Sequence, residues 1–228
     1  MVKSDLATDK GEQTRTLIFT SALELFRQHG FDATTMQAIA THAGVVKSAA
    51  YYYFPSKDSF IQGYYENVQT EQERLCNQIF LSTRELKPRL RAAMHSKLDL
   101  TQPDRNLLGV VFRYTGEPQH PLSCLGPATA EIRRRSAQIF RDAIAEEKLP
   151  RDLRILLPTA LWSLQMGLLV MFLYDRSPDQ QRTRRMADGA LNLTLRLLGL
   201  AKLAILKPIR TSILRLLQDA ELLPGDDL

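Results

Sequence analysis

The sequence predicts an all-α protein, and three observations carry that expectation. Apolar residues recur at helical spacing along nearly all of the 228 residues, no sustained apolar/polar alternation marks a strand, and no Asn-Gly dipeptide marks a hairpin. The length suits one large or two modest domains with a substantial core. The N-terminus MVKSDLATDKGEQ is polar and lacks the apolar segment of a secretory signal, so residues 1–12 are expected to form a flexible arm and the protein to be cytoplasmic. Cys76 and Cys124 stand in unrelated surroundings, which suggests neither a disulfide framework nor a cysteine zinc site.

The first helix is expected from about Glu12 to His29, with Leu17, Ile18, Ala22, Leu25 and Phe26 at helical spacing and Gly30 as its stop. Thr35 reads as the N-cap of a short second helix containing Met36, Ile39, Ala40 and Ala43, which ends at Gly44. A third short helix runs from Lys47 to Phe54, where Pro55 cannot extend it. Ser56 caps a long fourth helix through about Phe80. Segments near 84–100 and 104–115 follow, then a loop with Pro118, Pro121, Gly126 and Pro127, and a helix from about Pro127 to Lys148.

The run ILLPTALWSLQMGLLVMFLY, residues 155–174, has no charged side chain and the length of a membrane span. Pro158, Ser163 and Gln165 interrupt it, and a helix buried on both sides is equally apolar, so a core helix and no membrane partner are expected. A second apolar helix near 182–203 follows a short turn, and a final helix spans about 208–222. Two long apolar helices joined in this way suit a four-helix bundle formed by two chains.

Two short helices joined at Gly44, in AIATHAGVVKSAAYYYF, have the spacing of a helix-turn-helix, although a plain helical hairpin has the same spacing. Ala40 lets the two helices approach, and Ala50 with Phe54 would face inward toward the first helix. Tyr51, Tyr52, Tyr53 and Phe54 are consecutive and cover most of the helix circumference, so at least two must look outward. The whole chain carries a net charge of +5, yet residues 1–60 hold equal numbers of basic and acidic side chains. A polyanion could be held there only by the placement of a few cations.

Gly30-Phe31, Ala33-Thr34-Thr35-Met36, Ile39-Ala40, Ala43-Gly44-Val45, Lys47-Ser48, Tyr51-Tyr52-Tyr53-Phe54 and Ser56-Lys57-Asp58 together resemble the N-terminal domain of the TetR (tetracycline repressor) family. The likeness is nearly continuous over residues 14–66. It implies an N-terminal three-helix DNA-binding domain at 13–60 and a C-terminal helical domain at 61–228 for effector binding and dimerisation. The implied function is that of a ligand-responsive regulator, most simply a repressor that binds a palindromic operator as a homodimer through the helices near 155–174 and 182–203. The runner-up is a DNA-binding architectural or activator protein without an effector.

On this pattern Thr35 offers its hydroxyl and the first N–H groups of its helix to a phosphate. Lys47 reaches a base edge or phosphate, Ser48 and Ala49 allow close approach to the groove, and Tyr51 contacts a base. Tyr52 and Tyr53 meet the backbone, and Lys57 completes a phosphate clamp. Relatives carry threonine where Ala49 stands and serine where Val46 stands. An effector cavity is expected in the C-terminal domain, with Met94, Phe112, Trp162 and Met166 as candidate lining and, because polar anchors are scarce, a hydrophobic ligand. His29, His42, His95 and His120 stand apart, with no metal-ligand pair, nucleophile elbow or phosphate-binding loop, so no catalytic residue, metal or cofactor is expected.

Overall fold

The computed structural model describes residues 2–114, 117 and 119–219, with side chains from Lys10 onward except at 111. Thr115 and Pro118 of the expected helix and loop, and residues 220–222 of the expected last helix, lie outside the described residues. The described residues form α-helices and short 3-10 turns, without a strand. The helices are α1 (Val2–His29), α2 (Met36–His42), α3 (Lys47–Tyr53), α4 (Lys57–Ser82), α5 (Leu86–Thr101), α6 (Arg105–Arg113), α7 (Ala130–Ala143), α8 (Arg151–Tyr174), α9 (Gln181–Ala201) and α10 (Lys207–Asp219). The chain divides into two compact units rather than at one cut after residue 60. Unit 1 comprises 1–67 with 104–130, and unit 2 comprises 68–103 with 131–228.

In unit 1, α1 begins at Val2, not near Glu12 as the polar composition suggested. Lys3, Leu6, Ala7 and Lys10 are good helix formers and no proline interrupts them, so polarity alone did not mark a non-helical arm. Gly30 ends the helix at φ +83°, and its N–H bonds to the Phe26 carbonyl at 3.0 Å. Thr35 caps α2 as expected: its hydroxyl accepts from Ala38 N–H at 3.1 Å. Gly44 makes the turn to α3 at φ +66°, a conformation that a side chain would strain. Ser56 and Ser59 exchange backbone-to-hydroxyl bonds of 3.3 and 3.4 Å at the start of α4.

The core of unit 1 is aromatic. Phe26, Phe54 and Phe60 are fully buried, with the Phe54 and Phe60 rings stacked at 4.1 Å and Phe19 of α1 at 6.0 Å from Phe54. Ala40 and Ala50 are completely buried, so small side chains set the close approach of α2 and α3. Segment 104–130 joins this unit through a 2.5 Å bond from Arg27 to the buried Asp104, an Arg113–Asp32 ion pair and a Tyr65 hydroxyl bond to the Leu122 carbonyl.

Unit 2 packs the C-terminal part of α4 with α5 and α7–α9 around Leu90, Met94, Ile139, Phe140, Leu161, Leu168 and Leu191. Helix α8 is long and apolar enough to cross a membrane, with a mean hydropathy of 1.8 in its most apolar window, of which 39% is buried. Buried Gln165 of α8 donates to the Ala93 carbonyl at 2.8 Å, a core bond rather than a lipid-facing one. Helix α10 turns 97° away from α9. Its buried residue is Arg210, which donates to Asp152 at 2.7 Å and to the carbonyls of Ala201 and Leu203, while Ile209, Ile213 and Leu216 stay exposed.

Asp175 fastens the α8–α9 connection. Burial alone would raise its carboxyl, but hydrogen bonds from the backbone and side chains of Ser177 and Thr183 outweigh that and hold it well below the usual range. Asp175→Ala is expected to lower stability at pH 7 by about 1–2 kcal/mol in urea unfolding. A depressed folded-state value means that this contribution is present above the ordinary carboxylate range and is lost as pH falls below it. The difference between wild type and variant should therefore shrink on acidification below about pH 4.

Candidate nucleic-acid interface and interior polar node

Helix α3 forms where the sequence placed it because Ala50 and Phe54 supply the inward contacts and the remaining positions are free to face out. Lys47, Ser48, Tyr51 and Tyr52 are exposed, with Tyr51 at 44% and Tyr52 at 81% of full accessibility. At one-turn spacing, the Lys47 ammonium lies 5.9 Å from the Tyr51 ring centroid. Ala49 is half-buried. Val46 precedes the helix, 69% exposed and without a side-chain cap, so the missing hydroxyl leaves the first N–H groups of α3 without that partner.

Other sequence-predicted contacts have different surroundings. Thr35 is exposed, but its hydroxyl oxygen already accepts the cap bond from Ala38. Tyr53 is half-buried, packed edge-on against Tyr52 at 5.1 Å with its hydroxyl near Gly11 of α1. Lys57 is half-buried over the Phe31 ring at 4.6 Å, and its ammonium donates to the carbonyls of Phe31 at 2.8 Å and Asp32 at 3.2 Å. Those bonds leave one of its three N–H donors for an outside acceptor. The structure thus groups Lys47, Ser48, Tyr51 and Tyr52 on one exposed arc and engages Lys57 within its own unit.

Electrostatics favour that arc despite the neutral count over residues 1–60. Asp32 pairs with Arg113 and Glu24 lies 2.9 Å from His42, whereas Lys47 meets no carboxylate among the described residues. Helix α3 contains no acidic residue. Arg15, which the sequence reading did not single out, stands 5.2 Å over the Phe54 ring. Its legible signal is its i,i+4 relation to Phe19, which stacks on the same ring.

Unit 2 holds a second constellation. Lys97 of α5 is buried, and its ammonium donates to Gln69 Oε1 at 2.9 Å. The same oxygen accepts from Ser136 Oγ at 2.5 Å, and Gln69 Nε2 donates to Glu73 at 3.0 Å. Arg135 grips both Glu73 oxygens at 2.8 and 2.7 Å, which holds that carboxyl below its usual range. Burial pushes the Lys97 ammonium down to about 8. Gln72 and Gln165 both donate to the Ala93 carbonyl, at 2.9 and 2.8 Å, while the enclosed Gln72 Oε1 has no partner.

Sequence reading missed this node and described polar anchors as scarce. Its signal is Lys97 standing in the apolar stripe Leu90, Ala93, Met94, Lys97, Leu98. Of the candidate lining residues, Met94 is a buried core residue of unit 2, while Trp162 and Met166 are half-buried in the same unit. Phe112 lies half-buried on α6 and belongs to unit 1.

Residues 18–63 match the family model of bacterial regulatory proteins, tetR family, and residues 89–212 match that of the tetracyclin repressor-like C-terminal domain. A relative in Bacillus subtilis, an uncharacterized HTH-type transcriptional regulator called YuxN, is 38% identical over 63 residues, which is 26% of this chain and 22% of YuxN. The HTH-type transcriptional regulator SrpR of Pseudomonas putida is 25% identical over 177 residues, covering 75% of this chain and 80% of SrpR. The chain therefore spans about a fifth of the first relative and four fifths of the second. The crystal structure of Thermus thermophilus FadR, a TetR family transcriptional repressor in complex with lauroyl-CoA, aligns with a TM-score of 0.58 at 23% identity, over 83% of this chain and 95% of that one. At that identity the likeness concerns the fold.

Proposed function

This chain belongs to the tetR family of bacterial regulatory proteins, a family of DNA-binding transcriptional regulators, and on that premise we propose that it is a cytoplasmic, ligand-responsive repressor. It binds a palindromic operator as a homodimer and leaves it when a small, hydrophobic effector binds. The observation that carries this reading is the exposed arc of Lys47, Ser48, Tyr51 and Tyr52 on the second helix of a helix-turn-helix, free of carboxylates.

Lys47 and Tyr51 then read base edges, Ser48 and Ala49 allow close approach, and Tyr52, Tyr53 and Thr35 hold phosphates that set register. Lys57 adds its remaining donor to the backbone. Dimerisation through α8 and α9 is supported by the apolar faces they leave uncovered: Val170, Met171 and Tyr174 on α8, and Met186, Leu193, Leu197 and Leu200 on α9. Two α3 helices about 34 Å apart would enter successive major grooves. An effector that prefers another separation lowers operator affinity by shifting the population between conformers.

The lauroyl-CoA bound by the aligned Thermus repressor supports an effector with a long apolar body. The decisive experiment is selection of duplex DNA from a random pool by the full chain. Enrichment of one palindrome is the expected result; enrichment of nothing, or of non-palindromic bendable DNA, would favour the architectural alternative. Transcription from a promoter bearing the selected palindrome then separates repression from activation.

A further inference from the structure

We propose that the enclosed node at Lys97, Gln69 and Gln72 receives the anionic end of the effector, a carboxylate carried on an apolar body. This rests on the effector-responsive reading above and adds the chemistry of the ligand to it.

The node is left with unmet demand of one kind. Lys97 uses one of its three N–H donors, on the neutral Gln69 oxygen, and no carboxylate among the described residues lies within ion-pair distance of it. Glu73, the nearest acid of the network, is occupied by both arms of Arg135 and by Gln69 Nε2. Glu73 is thus shared between Arg135, which it pairs with directly, and Lys97, whose charge is left only partly compensated in a buried site, which is costly. The chain nevertheless places a lysine where a leucine would complete the stripe of α5.

The second observation is independent of charge. Gln72 Oε1 is buried without a donor, and its amide nitrogen is bound to the Ala93 carbonyl one α5 turn before Lys97. A carboxylate accepts from Lys97, and a water or hydroxyl accompanying it donates to Gln72 Oε1, which meets both demands. Leu90, Met94, Phe140 and Leu161, with half-buried Trp162, belong to the apolar core of the same unit and have the chemistry that the apolar body of such a ligand requires. The sign of the site works against a cationic ligand.

The location also couples binding to conformation. One carbonyl, that of Ala93, accepts from Gln72 on α4 and Gln165 on α8, so three helices meet at a single atom beside Lys97. A head group entering there must rearrange that junction, and the ligand then stabilises the rearranged state in proportion to its preference for it.

The test is calorimetric titration of the full chain with decanoate, decanol and decylamine, and of Lys97→Met with the same three. Decanoate should bind at least about tenfold more tightly than the other two, and Lys97→Met should reduce decanoate to the decanol level while leaving decanol unchanged. Decanoate binding no tighter than decanol, absent decanoate binding, or wild-type decanoate affinity in Lys97→Met would each overturn the proposal. If the variant does not fold, the three-ligand comparison on the wild type decides alone. Decanoate held by Lys97 with unaltered affinity for the selected duplex would remove the effector-release reading and leave this site standing. Release of the duplex by another molecule, with decanoate unbound, would do the reverse.

Discussion

Alanine at both Lys47 and Tyr51 is expected to weaken binding to the selected duplex by about a hundredfold or more, without changing the unfolding midpoint or the oligomeric state. Both side chains are exposed, neither joins the aromatic core, and Lys47 has no acidic partner among the described residues, so their removal leaves no buried group unpaired. Each base contact of this kind is worth roughly 1–3 kcal/mol. The two single variants should differ in character. Lys47→Ala should also reduce the dependence of binding on salt, because a phosphate or groove cation is lost, whereas Tyr51→Ala should leave the salt slope near the wild-type value. Anisotropy titrations at several salt concentrations read both effects, and unaltered binding by both variants would remove α3 from the interface.

Phe54→Ala should have the largest effect on stability. Phe54 is 2% exposed and its ring stacks on Phe60 and Phe19, so truncation opens a cavity that the aromatic cluster cannot close. A cost of about 3–5 kcal/mol is expected, against a total for a typical domain of about 5–15 kcal/mol. Urea unfolding followed by tyrosine fluorescence should show an early transition of unit 1, with loss of DNA binding at the same denaturant concentration. Phe54→Leu should retain most of both, since it preserves much of the volume. An Ala substitution costing under about 1 kcal/mol would mean that the aromatic cluster does not hold the helix-turn-helix.

Thr35, Gly44, Pro55 and Ser56 announce the limits of α2, α3 and α4 because capping and left-handed turns are local chemistry. Ala50 and Phe54 were legible as inward for the same reason, since i,i+4 periodicity fixes which residues share a face. The expected start of α1 near Glu12 fell short of Val2 because polarity was weighed there and helix propensity was not. Lys57 shows the same boundary at a candidate contact: a lysine after a helix cap looks free in sequence, but its ammonium is drawn to two carbonyls that only the fold brings near.

The interior of unit 2 was the least legible part. Gln69, Gln72, Lys97, Ser136 and Gln165 come from four helices, and apart from Lys97 in its apolar stripe each alone is an unremarkable polar residue. Only their convergence encloses a cation and an unpaired amide oxygen in one unit. The placement of segment 104–130 with unit 1 was equally non-local, because it depends on pairs such as Arg27 with Asp104 and Arg113 with Asp32.

The most direct measurement of the central claim is the affinity of the full chain for the selected palindrome against a shuffled duplex of the same composition, by anisotropy at physiological salt. A preference of about a thousandfold or more for the palindrome is the expected result. Equal affinity for the two duplexes would contradict sequence-specific operator recognition by α3.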